Sequence, residues 1–300
     1  MNKLKPWLSA FRLRTLPLSV SGIILGSCFA HYNGYFDAMV FILAILTTIA
    51  LQILSNLAND YGDGIKGTDN EHRVGPERAI QSGQITPHEM FEALKINILI
   101  VIALSIFLIY MAFGHDHFLY TLLFFVLAGL SIYAAMRYTV GDSPYGYRGL
   151  GDIYVLIFFG LLSVIGSYFL YAKRLDHIVV LPAITLGLLS VGVLNLNNMR
   201  DIESDKMSNK ITFAVKLGKQ NAKKYHLFLI SAAMIISLIF AILYYRSFYN
   251  FLFLIAFIPL ILHLKKIAKA QKSDDFDSQL KVLALTTFLF SILLGVGYIL

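Results

Sequence analysis

Residues 38–59 read AMVFILAILTTIALQILSNLAN, 22 positions without an Asp, Glu, Lys or Arg, and the chain then turns at once to Asp60-Tyr61-Gly62-Asp63. A run of that length and composition is what a helix needs to cross the hydrocarbon core of a bilayer, which takes about 20 residues. Eight more charge-free runs occur, at 15–36, 96–115, 117–136, 153–172, 177–199, 225–245, 247–264 and 282–300, each 18 to 23 residues long. The sequence therefore predicts an all-α, polytopic membrane protein with nine transmembrane helices, a single integral-membrane domain over 1–300.

The composition of the whole chain agrees. Of its 300 residues 57% are apolar and 14% charged, with a mean hydropathy of +0.69, whereas a soluble domain carries about a quarter charged residues. Too little polar surface is left for a water-facing shell. The one cysteine, Cys28, excludes an internal disulfide and a thiolate zinc cluster. The alternating ten-residue segments of a transmembrane barrel are absent. Pro17, Pro182 and Pro259 fall inside spans, where neighbouring helices satisfy the carbonyls they free. The first run follows Lys3, Lys5, Arg12 and Arg14 but is longer than a signal-peptide core, so it is expected to be retained as the first helix.

With the N-terminus in the cytoplasm, 22 of the 25 Lys and Arg residues lie on that side, leaving only Lys173, Arg174 and Arg246 on the other. The positive-inside rule expects this asymmetry. It also accounts for the net charge of +7 through a collar facing anionic membrane lipid, with no nucleic acid as partner.

Two polar segments follow even-numbered spans and so share the cytoplasmic face. The first acidic motif, 56–78, contains Asn56, Asn59, Asp60, Asp63, Lys66, Asp69, Arg73 and Arg78; the second, 195–210, contains Asn195, Asn198, Arg200, Asp201, Asp205 and Lys210. Asn56, Asn59 or Asp60, and Asp63 fall on one helical stripe, and Asn198, Asp201 and Asp205 on another. Asp60 and Asp201 are 141 residues apart. This predicts a degenerate repeat: two four-helix halves, each with its acidic motif after the second helix, plus a ninth helix.

Carboxylates at the inner ends of spans are costly without a task, and facing pairs repel unless cations lie between them. With hard oxygen donors and no cysteine nearby, Mg²⁺ is the natural ion, completing its shell with substrate phosphates. Arg73, Arg78, Arg200 and Lys210 then read as donors to the same anion, arginine through its bidentate fork. The pattern points to a diphosphate held through Mg²⁺ at a membrane surface. Asp274, Asp275 and Asp277 read as solvated, Glu89 and Glu92 as ordinary surface positions, and His115 and His117 as solvent-facing.

Asn59-Asp60-Tyr-Gly-Asp63, Lys66-Gly67-Thr68-Asp69 and Arg73-Val-Gly-Pro-Glu-Arg78 together resemble the first aspartate-rich motif of the UbiA superfamily of intramembrane prenyltransferases. Asn197-Asn198-Met-Arg200-Asp201-Ile-Glu-Ser-Asp205, with Lys210, resembles the second. Arg12-Leu-Arg14-Thr-Leu-Pro17 and the segment Tyr138 to Asp152 resemble the branch that acts on 1,4-dihydroxy-2-naphthoate in menaquinone synthesis. Two positions depart from the pattern: Gly67 stands where many relatives carry a third Asp, and Asn209 where a glycine is common.

The resemblance implies that Asp60, Asp63, Asp201 and Asp205 hold Mg²⁺ on a polyprenyl diphosphate. Arg12, Arg14, Asn56, Asn59, Lys66, Arg73, Arg78, Arg137, Tyr138, Tyr147, Asn198, Arg200 and Lys210 would bind substrate. The ring carbon bearing the carboxylate of 1,4-dihydroxy-2-naphthoate would attack the allylic cation and lose CO₂, giving demethylmenaquinone, with Asp152 and Tyr147 orienting an acceptor hydroxyl. The expected setting is a bacterial cytoplasmic (inner) membrane with N-terminus and motif loops cytoplasmic. A sister enzyme with another aromatic acceptor is the near alternative. A cation-coupled transporter is the distant one, and it would place its acids near the midplane instead.

Overall fold

The computed structural model describes residues 3–69 and 75–300, so Arg73 lies outside the described residues. Among the described residues nine helices are long and apolar enough to cross a membrane: α1 Leu4–Tyr32, α2 Ala38–Ile65, α3 Pro87–Phe113, α4 Phe118–Arg137, α5 Gly151–Ala172, α6 His177–Arg200, α7 Phe213–Leu243, α8 Phe248–Lys269 and α9 Ser273–Ile299. Each expected run falls within or nearly within one of them.

Local chemistry sets the ends. Asp37 caps α2 by accepting from the Met39 and Val40 N–H groups at 2.8 and 2.9 Å. Thr86 and Glu89 close a reciprocal capping box around Pro87 at the start of α3. Thr212 caps α7 through the Val215 N–H. Helix α1 breaks at Arg12, whose φ is 50°, and resumes at Leu16 with Pro17 in its first turn, where a missing N–H does no harm. The widened turns of α5 over Leu156–Gly166 form a π-helix whose Gly160 lies against Gly187 of α6.

Helix α6 is the central post. It packs on α5, α7 and α9, while α9 also packs on α1 and α8. One large apolar core joins these helices to the far halves of α2 and α3, with Phe29, Tyr168, Phe240, Phe253 and Phe290 fully buried in it. A smaller core lies under the first acidic motif, formed by Leu54, Leu57, Ile85, Met90 and Leu94. These two unequal cores give no support to the expected division into equivalent four-helix halves. The motif ends of α2 and α6 nevertheless share one face, and that is what assembles the site.

Candidate active site

Both acidic motifs terminate their helices in the same backbone turn. After Asp63, Gly67 takes φ 68°, its N–H reaches the Gly64 carbonyl, and the Thr68 N–H returns to the Asp63 carbonyl at 3.0 Å. After Asp205, Asn209 takes φ 55°, its N–H reaches Lys206, and the Lys210 N–H returns to Asp205 at 2.8 Å. This is the Schellman pattern, which needs a left-handed residue at its fifth position. The left-handed backbone suits glycine at 67, and asparagine at 209 is one of the few other residues that accept that geometry.

The second turn brings Lys210 back across the face. Its ammonium lies 3.1 Å from Asp63 Oδ2 and 3.9 Å from Asp205 Oδ1, so one cation joins the two motifs across 147 residues of chain. Burial would lower the Lys210 pKa, but Asp63 first and Asp205 second outweigh it and hold it above the ordinary lysine value. Tyr147 donates to Asp63 Oδ1 at 2.6 Å and shares a second contact with the Thr68 hydroxyl at 2.6 Å. Burial and the Asp63 charge push its hydroxyl up, so it stays a donor. Its ring also carries Lys66 and Lys210, 4.7 and 5.3 Å from the ring centre. Lys66 spends its donors on the Thr139 and Gly141 carbonyls. Its pKa is lowered by burial, with Arg137 nearby adding to the shift and Asp63 opposing it.

Asp60, 1% exposed, lies under the backbone N–H groups of Ala79 and Ile80, 3.3 and 3.5 Å away. It opens onto a cavity of about 270 Å³ lined also by Arg12, Arg14, Pro76, Arg78 and Ala79. Glu77 lines the cavity as well, and three arginines beside two carboxylates suit an anion that arrives with its own cation. Arg78 also stands 3.8 Å from the buried Asp69. The Asn59 amide, turned with its NH₂ toward Asp63, donates to Asp63 at 2.7 Å and accepts from Arg12 at 3.3 Å. Close approach makes this register possible: a Cβ on Gly62 would lie 2.6 Å from the Thr139 hydroxyl and 2.7 Å from its backbone.

The structure redirects several residues. Asn56 lies outside the site, its amide donating to the Phe11 carbonyl and the Thr15 hydroxyl at 2.9 and 3.1 Å; it braces the break in α1 that presents Arg12. Arg200 is committed within the protein, donating to both oxygens of Asp201 at 2.8 and 2.6 Å, to Asn197, and to Asp277 at 2.7 Å. Asp277 is therefore not merely solvated: it is half-exposed but ion-paired to a buried arginine. Asn198 is buried beside this group on α6. Tyr147 contacts Asp63 rather than Asp152. Asp152 is buried and faces the Tyr225 hydroxyl of α7 without a well-aligned hydrogen bond. Tyr138 lies among these groups, its ring against Gly146 and Gly151. Burial pushes its hydroxyl up to about 12, with Asp63, Asp205 and Asp152 adding to the effect.

Thr68, Tyr225 and Asp277 were not marked by spacing. Thr68 had a local signal, since it stands at the sixth position of the turn; the other two reach the site only through helix packing.

Among the described residues no three acidic or imidazole side chains converge on one point. Two carboxylates at a time, all oxygen donors, is nevertheless how Mg²⁺ is commonly held, with water and phosphate completing the shell. Acids buried at helix ends, four of them within 4 Å of a Lys or Arg, characterise a membrane protein that handles a charged headgroup at its surface, not one that carries ions through its midplane. The chain belongs to the UbiA prenyltransferase family, which it matches over residues 19–297, and it is a multi-pass membrane protein.

Among its relatives, the 1,4-dihydroxy-2-naphthoate octaprenyltransferase of Escherichia coli (strain K12) is 46% identical over 257 residues, covering 85% of this chain and 82% of that one. The protein of the same name from Haemophilus influenzae is 42% identical over 298 residues, covering 99% and 96%. Among solved structures, a UbiA homolog from Archaeoglobus fulgidus bound to DMAPP and Mg²⁺ has a similar fold. Its TM-score is 0.66 and its identity 14%, with coverage of 98% of this chain and 99% of that one.

Proposed function

We propose that the chain transfers a polyprenyl group from its diphosphate to 1,4-dihydroxy-2-naphthoate, releasing diphosphate and CO₂ and yielding demethylmenaquinol, the two-electron-reduced form of demethylmenaquinone. The observation that carries the reading is Lys210, whose ammonium stands between the carboxylates of two motifs, where a divalent cation and a diphosphate would be shared. The relatives' activity supplies the acceptor. The oxygen-donor set fits Mg²⁺, which when bound would neutralise the diphosphate as it leaves.

The remaining roles fall to side chains. Arg12, Arg14 and Arg78 line the cavity beside Asp60 and would grip the diphosphate through charge-assisted hydrogen bonds. Lys210 would stabilise negative charge developing as the allylic carbon–oxygen bond breaks, an electrostatic contribution that is commonly the largest in such sites. Tyr138 and Tyr147 would stay protonated, Tyr147 giving its one O–H to Asp63 while accepting from the Thr68 hydroxyl. Asp152 would take the proton of an acceptor hydroxyl as the ring carbon forms the new carbon–carbon bond. It would return that proton when the carboxylate leaves as CO₂ and its bonding pair restores the aromatic ring. Tyr225 would orient Asp152.

The proposed setting is a bacterial inner membrane with the motif face cytoplasmic. A periplasm-active reporter fused after Leu300 should be on, and one fused near residue 70 off. The activity is tested with membranes given labelled polyprenyl diphosphate and a panel of 1,4-dihydroxy-2-naphthoate, 4-hydroxybenzoate and homogentisate. Prenylation of the naphthoate with stoichiometric release of its carboxyl carbon is expected. Preference for another acid, or prenylation with the carboxyl retained, overturns the reading.

A further inference from the structure

Asp277 belongs to neither acidic motif, yet it reaches the second one. It sits in the second turn of α9, 77 residues beyond Arg200, and its carboxylate takes the Arg200 Nη1 hydrogen at 2.7 Å. Among the described residues, the other hydrogen bonds of that guanidinium come from its own turn of chain: Asn197 at 3.0 Å and both oxygens of Asp201. The Arg200 and Asp201 side chains are only 2% and 8% exposed, so their pairing is little screened, while Asp277 is 47% exposed. The triad contains two carboxylates and one guanidinium. A bidentate Arg200–Asp201 pair by itself would be neutral, with little left in Asp201 to attract a divalent cation. A second acid competing for the same guanidinium restores a net negative charge.

We infer that Asp277 is a positioning residue for the second acidic motif. By binding the remaining Nη1 of Arg200 it offsets the guanidinium charge beside Asp201, so that the motif keeps a net negative charge toward a divalent cation, while holding the guanidinium in place. The inference rests on the reading of the acidic motifs as a cation–diphosphate site. Its sign is specific: removing the Asp277 charge makes the neighbourhood more positive. Divalent-cation binding then weakens, whereas binding of metal-free diphosphate is unchanged or stronger. A merely structural role would weaken both.

The test uses the purified full-length protein in detergent. Mn²⁺ binding is measured by electron paramagnetic resonance, and binding of inorganic diphosphate in EDTA by calorimetry. Asp277→Asn keeps an oxygen to accept from Arg200 and removes only the charge. Partners one contact removed from a metal typically change affinity about 10–100-fold, and solvent at Asp277 screens this toward the lower end. The expected result is a Kd for Mn²⁺ raised about 3–10-fold, with Asp277→Glu restoring most of the affinity and diphosphate binding not weakened. Asp274→Asn, an exposed acid one turn earlier, should leave Mn²⁺ binding as in the unmodified protein.

Equal Mn²⁺ affinity in Asp277→Asn, an equal loss in Asp274→Asn, or parallel loss of cation and diphosphate binding would each overturn the role of Asp277. Failure of the underlying reading looks different: the unmodified protein would bind no Mn²⁺, or Asp63→Ala would bind it as tightly.

Discussion

From Asp63 to Thr68 and from Asp205 to Lys210 the backbone closes in the same turn, with a left-handed residue four positions after the acid and the next N–H returning to the acid's carbonyl. The side chains on those two turns do different work. The first motif puts Thr68 at the end of its turn, which hydrogen-bonds to Tyr147, and leaves Asp60 under two backbone N–H groups at the edge of an arginine-lined cavity. The second puts Lys210 there and meets Asp201 with the full fork of Arg200. Asp60 is open to the cavity and bonded by backbone dipoles; Asp201 is closed over by a charge. Equivalent backbone therefore does not imply equivalent chemistry, and the second motif supplies the cation that joins the two.

If the motifs meet at Lys210, Asp63→Ala and Asp205→Ala should be similarly severe. Each leaves a buried ammonium with one carboxylate instead of two. Turnover in membranes should fall by roughly 10³-fold or more, as for loss of a charged group contacting the reacting centre. A mild loss at either position breaks the comparison.

Asp152→Asn comes next. It preserves shape beside Tyr225 but removes basicity, so coupling to the aromatic acceptor should fall roughly 10²–10⁴-fold, with the KM for polyprenyl diphosphate within about twofold of the unmodified enzyme. A normal rate would return Asp152 to the role of completing the first turn of α5, where an acid complements the helix dipole.

The open cavity is sharpened by Arg12→Lys and Arg78→Lys. Each keeps charge and loses the planar fork, so the KM for the prenyl diphosphate should rise about tenfold, the worth of roughly 1.4 kcal/mol. Unchanged values in both would remove these arginines from diphosphate contact.

The smallest effect tests the shared turn itself. Gly67→Ala forces a Cβ into left-handed backbone with open space around it and should cost about 1 kcal/mol of stability, seen as a lowered midpoint in thermal unfolding. Gly67→Asn should cost less, because Asn209 already holds the matching position of the other motif.

The nine spans were legible because a bilayer demands about 20 contiguous apolar residues for each crossing, and charge interrupts every such run here. The acidic stripes were legible for a similar reason, since residues three or four apart share a helix face whatever the helix packs against. Pairings between elements had no such signature. Lys210 on Asp63, Asp277 on Arg200, Tyr147 on Asp63 and Tyr225 beside Asp152 join residues about 70 to 150 positions apart. The same absence of a periodic signal hid the brace from Asn56 to the break in α1, and it let Asp277 pass for a solvated acid. Periodicity within one helix is a local property of the chain, so the sequence by itself determined the spans and their polar ends. Which cation answers which acid depends on how α2, α6, α7 and α9 lean together, and only the tertiary structure decided that.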